Sequence, residues 1–130
     1  MVKVVKYFAA HEAGFAINPD NVKKQIEGGV VFGLGFAISE EVIVKEGNTI
    51  TESLMDYKLP TISMVPKVEY SIIEIPTKYG PYGAKGIGEP PVVPVAPAIA
   101  NAVYDATGVR IRELPITPEK VFQGLKGQKL

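Results

Sequence analysis

A single α+β domain with a mixed or antiparallel sheet is predicted by three features of this sequence. β-Branched and aromatic residues crowd Lys3 to Ala9, and Lys67 to Ile75 alternates Val68, Tyr70 and Ile72 with Glu69 and Ser71, the two-residue period of a half-buried strand. Two longer stretches, residues 19–38 and 95–107, carry helix start and stop signals instead. Between the helices, the turn formers Glu46-Gly47-Asn48 join two short runs into a hairpin. Strands linked by hairpins and interspersed with helices are the α+β pattern. With 130 residues and 46% hydrophobic content, the chain can build one core and is too short for two.

Val4, Val5, Tyr7 and Phe8 give the first strand its apolar faces, and Gly14 interrupts it. Asn18 then caps a helix predicted over 19–38: its side chain can accept from free amides, Pro19 tolerates the first helical position, and Asp20 favours the positive end of the dipole. Glycines 28, 29, 33 and 35 each cost that helix roughly 1 kcal/mol relative to alanine, which demands a compensating contact. Gly29 and Gly33 lie four apart on one face, where either a packed sheet or a ligand can approach closely. The hairpin is predicted to join Glu41–Lys45 to Asn48–Thr51. Glu40 and Glu41 point to different faces of a strand, as in a solvated pair. Met55 to Pro60 is irregular, and the strand from Lys67 stops at Pro76. Alanines with Ile99, Val103 and Tyr104 form the second helix, closed by Gly108, and Arg110 to Arg112 is predicted as a short strand. Thr117 caps a short C-terminal helix that starts at Pro118, and Lys126 to Leu130 reads as a tail.

Residues 76–94 hold five prolines and four glycines and sustain neither a helix nor a central strand, so they form a long structured or mobile loop. Loops of that length are usually functional or disordered. Within it, Gly83-Ala84-Lys85-Gly86-Ile87-Gly88-Glu89-Pro90-Pro91 places one carboxylate after a glycine-rich run and stiffens the backbone behind it. Glu89 is therefore the candidate catalytic residue, against the alternative of a tight turn with a solvated acid. The prolines are expected to wall Glu89 in and partly bury it. Lys85 reads as structural or solvated. The spacing G-x-x-G-x-G after a proline-containing stretch excludes a dinucleotide fingerprint.

Fourteen basic and fourteen acidic residues balance, which removes the electrostatic footprint of a nucleic-acid binder. No apolar run is long enough to span a bilayer and the N-terminus lacks a signal-peptide core, so a cytoplasmic location is expected. The absence of cysteine excludes disulfides and makes iron–sulfur ligation by this chain implausible, since such clusters are held mainly by thiolates. The lone His11 likewise gives no basis for a protein-ligated zinc or iron site.

Several blocks, in order, resemble the molybdenum hydroxylases, the family of xanthine dehydrogenases, aldehyde oxidoreductases and aerobic carbon monoxide dehydrogenases, to which hydroxybenzoyl-CoA reductases are related. They are Ala16-Ile17-Asn18-Pro19, Gln25-Ile26-Glu27-Gly28-Gly29 with Gly33-Leu34-Gly35, Met55-Asp56-Tyr57-Lys58-Leu59-Pro60, the Glu89 loop, Ala96-Pro97-Ala98-Ile99-Ala100-Asn101-Ala102, and Arg110-Ile111-Arg112-Glu113-Leu114-Pro115. The resemblance covers only the C-terminal portion of a catalytic subunit several times longer, so residues 1–130 are expected to be an incomplete molybdopterin-binding domain.

That resemblance implies a molybdenum-molybdopterin cofactor shared with the upstream part of the subunit, and iron–sulfur and FAD groups carried by partner chains. It implies oxidative hydroxylation of an aldehyde, purine or related substrate. Glu89 matches the general base, a role that suits a carboxylate beside a hydroxyl acidified by a metal. Gln25 matches a glutamine that hydrogen-bonds the pterin, and Gly86 and Gly88 would let backbone amides approach the cofactor. For Gly29 and Gly33 it implies packing on one side and pterin on the other. Asp56 and Tyr57 are expected to brace the loop. The chain should be inactive alone. The competing reading is a non-catalytic remnant or scaffold that self-associates through surface left bare by the missing regions.

Overall fold

The computed structural model describes residues 2–127; the last part of the predicted tail, 128–130, lies outside them. The elements run β1 (Lys6–Glu12), α1 (Pro19–Ile38), β2 (Val44–Lys45), β3 (Asn48–Thr49), β4 (Lys67–Ile73), α2 (Val95–Thr107) and α3 (Pro118–Gly127), with single 3-10 turns at Ile62–Met64 and Pro81–Gly83. The described residues form a small α+β domain with three α-helices.

The strands are arranged differently from the expectation. β1 and β4 pair in parallel, from Lys6 opposite Lys67 to Glu12 opposite Ile73, while β2 and β3 form a separate antiparallel hairpin. A parallel pair needs a long crossover, and the chain supplies one that includes α1. The hairpin's residues are all exposed, so nothing apolar draws it onto the other pair. β1 begins three residues later than predicted, because its register is set by Lys67 and β4, and it runs through Ala10, His11 and Glu12 despite their weak β-propensity.

α1 has the predicted bounds. Asn18 Oδ1 accepts from the Asn21 amide at 3.0 Å, with Pro19 at the first position. The helix is the axis of the core. Its C-terminal half presents Val30, Leu34 and Ala37 to Val95 and Ile99 of α2 and to Ile116, while its N-terminal half packs Val22 and Ile26 against Ala13 and Ala16. Ile26, Leu34 and Ile116 are fully buried, and each contributes about 1.5–3 kcal/mol through the area it removes from water.

α2 also has its predicted bounds and ends at Gly108, whose φ of 73° is left-handed. The predicted strand at 110–112 does not form. Arg110 instead folds back on α2, its guanidinium 3.9 Å from the Tyr104 ring and 2.7 Å from Asn101 Oδ1. Neighbouring Val109 is buried against Gly124 of α3. Thr117 Oγ1 accepts from the Lys120 amide at the start of α3, as its position predicts. The Ile116 amide donates to Ala37 O at 2.6 Å and ties this segment to the end of α1.

Across β1 and β4, Glu69 receives Lys6 Nζ at 2.7 Å and Lys67 Nζ at 2.8 Å. These lysines, Lys6 first, hold its carboxyl down at about 2, against an ordinary value of 4.5. A depressed folded-state value stabilises above the unfolded value, and that contribution is lost as pH falls through the folded one. The stability gap between the native chain and Glu69→Gln is therefore expected to be complete above 4.5 and to close near pH 2. The pairs are partly solvent-exposed, so the gap is small. Denaturant midpoints across that range check it, and a gap that widens on acidification contradicts it.

Candidate functional site

The proline- and glycine-rich segment is tied to the protein at successive points. Gly14 has a φ of 68°, and a Cβ there would collide with the Gly83 carbonyl, so only glycine allows this approach. Gly83 O accepts from the amides of Phe15 and Thr77, and the Lys85 amide donates to Ala13 O at 3.0 Å. Ile87 then packs on the cluster around Ala13, Ala16, Val22 and Ile26. Two residues later the chain reaches Glu89, whose carbonyl accepts from the Val92 amide at 2.9 Å across a turn containing Pro90 and Pro91.

The structure brings together two candidates far apart in sequence. Gln25 Nε2 donates to Gly88 O at 2.6 Å, joining α1 to the residue before Glu89. Gln25, Gly28, Gly88 and Glu89 line one open cleft of about 470 Å³, with Phe32 and Val92 as its apolar members. A neighbouring cleft of about 320 Å³, on the side of Asn18 and Lys85, shares Gln25 and Gly88. Glu89 is exposed, contrary to the expectation that the prolines bury it; the buried one is Pro91, which turns inward onto α1. Among the described residues, no hydrogen bond or ion pair engages the Glu89 carboxylate or the Gln25 carbonyl oxygen.

The glycines divide by what stands opposite them. A Cβ on Gly29 would come within 2.5 Å of Pro91 Cβ, and one on Gly33 within 2.5 Å of Val95 Cβ. These two face the entry to α2, not a sheet, and their absent side chains let the Glu89 turn sit against α1. Gly28, Gly86 and Gly88 have no atom within 4 Å of such a Cβ. Gly28 and Gly88 leave their open space at the cleft, whereas Gly86 lines neither cleft.

Opposite stability effects are expected at adjacent positions. Gly28→Ala is expected to stabilise by up to about 1 kcal/mol through helix propensity. Gly29→Ala is expected to destabilise, because overpacking against Pro91 costs about 1–3 kcal/mol and outweighs the same gain. Thermal unfolding of the two variants checks the order, and the reverse order would show that Pro91 yields freely.

Two acids behave in ways the sequence did not reveal. Glu40 is buried and accepts from the Tyr57 hydroxyl, so it is not half of a solvated pair. This bond, first among the causes, raises the Tyr57 hydroxyl above its ordinary range. Tyr57 thus braces its own segment against the end of α1, and Asp56 accepts from Ser53; among the described residues no side-chain hydrogen bond joins either to the Glu89 turn. Glu12 is held below the usual carboxylate range by Lys85 first, and also by the amides of Gly14 and Ile75. His11 lies in β1 opposite Ile72, and among the described residues no three His, Cys, Asp or Glu side chains are grouped to hold a metal ion. No helix among the described residues is long and apolar enough to cross a membrane.

Helices and a small sheet thus set a glutamine and a glutamate on one glycine-lined cleft. The model of the molybdopterin cofactor-binding domain matches residues 1–66, half of the chain, and the chain belongs to that family. It is 40% identical over 124 residues to the xanthine dehydrogenase molybdenum-binding subunit of Escherichia coli O157:H7, covering 94% of this chain and 16% of that protein. It is 41% identical over 130 residues to the nicotine 6-hydroxylase large subunit of Paenarthrobacter nicotinovorans, covering 97% and 16%. Among solved structures, quinoline 2-oxidoreductase from Pseudomonas putida 86 superposes with a TM-score of 0.92 at 35% identity, over 98% of this chain and 17% of that one. The Cu,Mo-CO dehydrogenase superposes with a TM-score of 0.87 at 32% identity, over 96% and 16%. The chain thus spans about one sixth of the length of these relatives.

Proposed function

We propose that this chain is the C-terminal portion of the catalytic subunit of a molybdenum hydroxylase, with Glu89 as general base and Gln25, Gly86 and Gly88 on one wall of the molybdopterin site. The observation that carries the reading is the Gln25–Gly88 hydrogen bond, which seats the proposed cofactor ligand and the proposed base on one cleft. The residues present suit the cofactor. The Gln25 carbonyl oxygen is free to accept from a pterin N–H, and Gly28, Gly86 and Gly88 leave space for a planar ring system to approach backbone. When bound, the cofactor supplies the redox and oxygen-transfer chemistry of hydroxylating an aldehyde, purine or related substrate. The unengaged Glu89 carboxylate accepts the proton released, and the Pro90-Pro91 turn keeps its backbone in place.

The surface supports incompleteness. The chain exposes 8993 Å², whereas a compact monomer of 14.0 kDa exposes about 6,700 Å². Large apolar side chains contribute to it, including Met55 and Ile62, both 90% exposed. The rest of the catalytic subunit is the proposed cover, with iron–sulfur and FAD groups on further chains, and the isolated chain is expected to be inactive.

Co-expression with the upstream remainder of the subunit, followed by co-purification and molybdenum analysis, tests this. Molybdenum retained by the complex and absent from either piece is the expected result. A chain that ignores the remainder and forms metal-free homo-oligomers would establish the scaffold reading instead.

A further inference from the structure

We infer that Glu12 is a positioning residue for the glutamate loop, acting through Lys85. Its carboxylate is shared among three donors from three parts of the chain: Oε1 accepts from the Gly14 amide at 2.5 Å and the Ile75 amide at 3.3 Å, and Oε2 accepts from Lys85 Nζ at 2.5 Å. Glu12 is the last residue of β1, and Ile75 lies just beyond β4, so one side chain joins the ends of both parallel strands to the loop. The Lys85 backbone is fastened to the same place by its amide bond to Ala13 O. Lys85 is therefore held at both backbone and side chain, and Glu89 follows four residues later. At Gly88 the loop is held again by Gln25, and beyond Glu89 by Pro91 on Gly29. Glu12 and Gln25 hold the approach to Glu89, and Pro91 on Gly29 holds its exit.

Exposed ion pairs add little to global stability. Glu12 and Lys85 are 31% and 40% exposed at their side chains, so their effect is on local order and not on the melting of the domain. Glu12→Gln keeps the side-chain shape and a carbonyl acceptor for the amides but removes the charge that Lys85 meets.

Hydrogen exchange of the full chain tests the inference. Glu12→Gln is expected to speed exchange of the Gly83, Ala84 and Lys85 amides about tenfold, with the amides of α1 and α2 and the melting temperature nearly unchanged. Unchanged exchange at Gly83 to Lys85, or equal acceleration everywhere, overturns it. The consequence for catalysis rests on the proposed role of Glu89: in the assembled enzyme, Glu12→Gln is expected to lower kcat about tenfold and leave KM nearly unchanged. A kcat that stays at the native value despite a loosened loop overturns that consequence. The two readings fail separately, because exchange reports on Glu12 whatever Glu89 does, and an active Glu89→Gln enzyme removes the general base without altering exchange.

Discussion

Glu89→Gln is expected to lower kcat of the enzyme assembled from this chain and its upstream remainder by about 10²–10⁴-fold, the usual contribution of a positioned general base. The amide matches the carboxylate in shape, so cofactor content and co-purification should equal those of the native complex. Among the described residues lining the cleft, the carboxylate is the one group able to take a proton, since its companions there are an amide, glycines, Phe32 and Val92. Molybdenum content measured beside turnover separates chemistry from assembly. Turnover within a factor of a few of the native enzyme, at full molybdenum content, would move the base to another residue. The isolated chain with either residue at position 89 should show no turnover.

The second large effect concerns stability. Leu34→Ala is expected to cost about 2–5 kcal/mol, because it empties a fully buried position between α1 and α2, where Val30, Ala37, Val95, Ile99 and Ile116 meet. At this chain length a loss near the middle of that range lowers the melting temperature by roughly 10 °C. The flanking glycines sharpen the expectation: Gly33 already brings Val95 to van der Waals limits, so the helices have little freedom to close the cavity. Calorimetry or chemical denaturation measures the loss. A cost below about 1 kcal/mol would mean that this core collapses around the gap.

Helix limits were legible because their determinants are local. Asn18 and Pro19 start α1, Gly108 ends α2, and Thr117 with Pro118 starts α3, each through a cap or backbone restriction acting within a few residues. Residues 76–94 hold no α-helix or strand for the same reason, since glycine and proline act on their own backbone without reference to distant sequence. Strand pairing was not legible. The segments β1 and β4 were recognisable as strands, but their parallel pairing depends on the crossover through α1, and the β2–β3 hairpin stays apart because its residues are exposed. Arg110 to Arg112 shows the same limit, as its β-prone pattern yields to an arginine stacked on Tyr104.

The site divides along that line. The sequence by itself determined that one carboxylate follows a glycine-rich run and precedes two prolines, that a glycine-rich helix begins at Pro19, and that the chain has no cysteine and a single histidine. Only the tertiary structure decided that Gln25 reaches Gly88, that Gly29 and Gly33 admit Pro91 and Val95 while Gly28 faces an open cleft, that Glu40 is buried under Tyr57, and that Glu12 holds Lys85. Propensity and capping act over one or two turns of chain. Contacts between residues some sixty positions apart exist only once the buried face of α1 has selected its partners, because burial, unlike capping, depends on every segment that competes for the same surface.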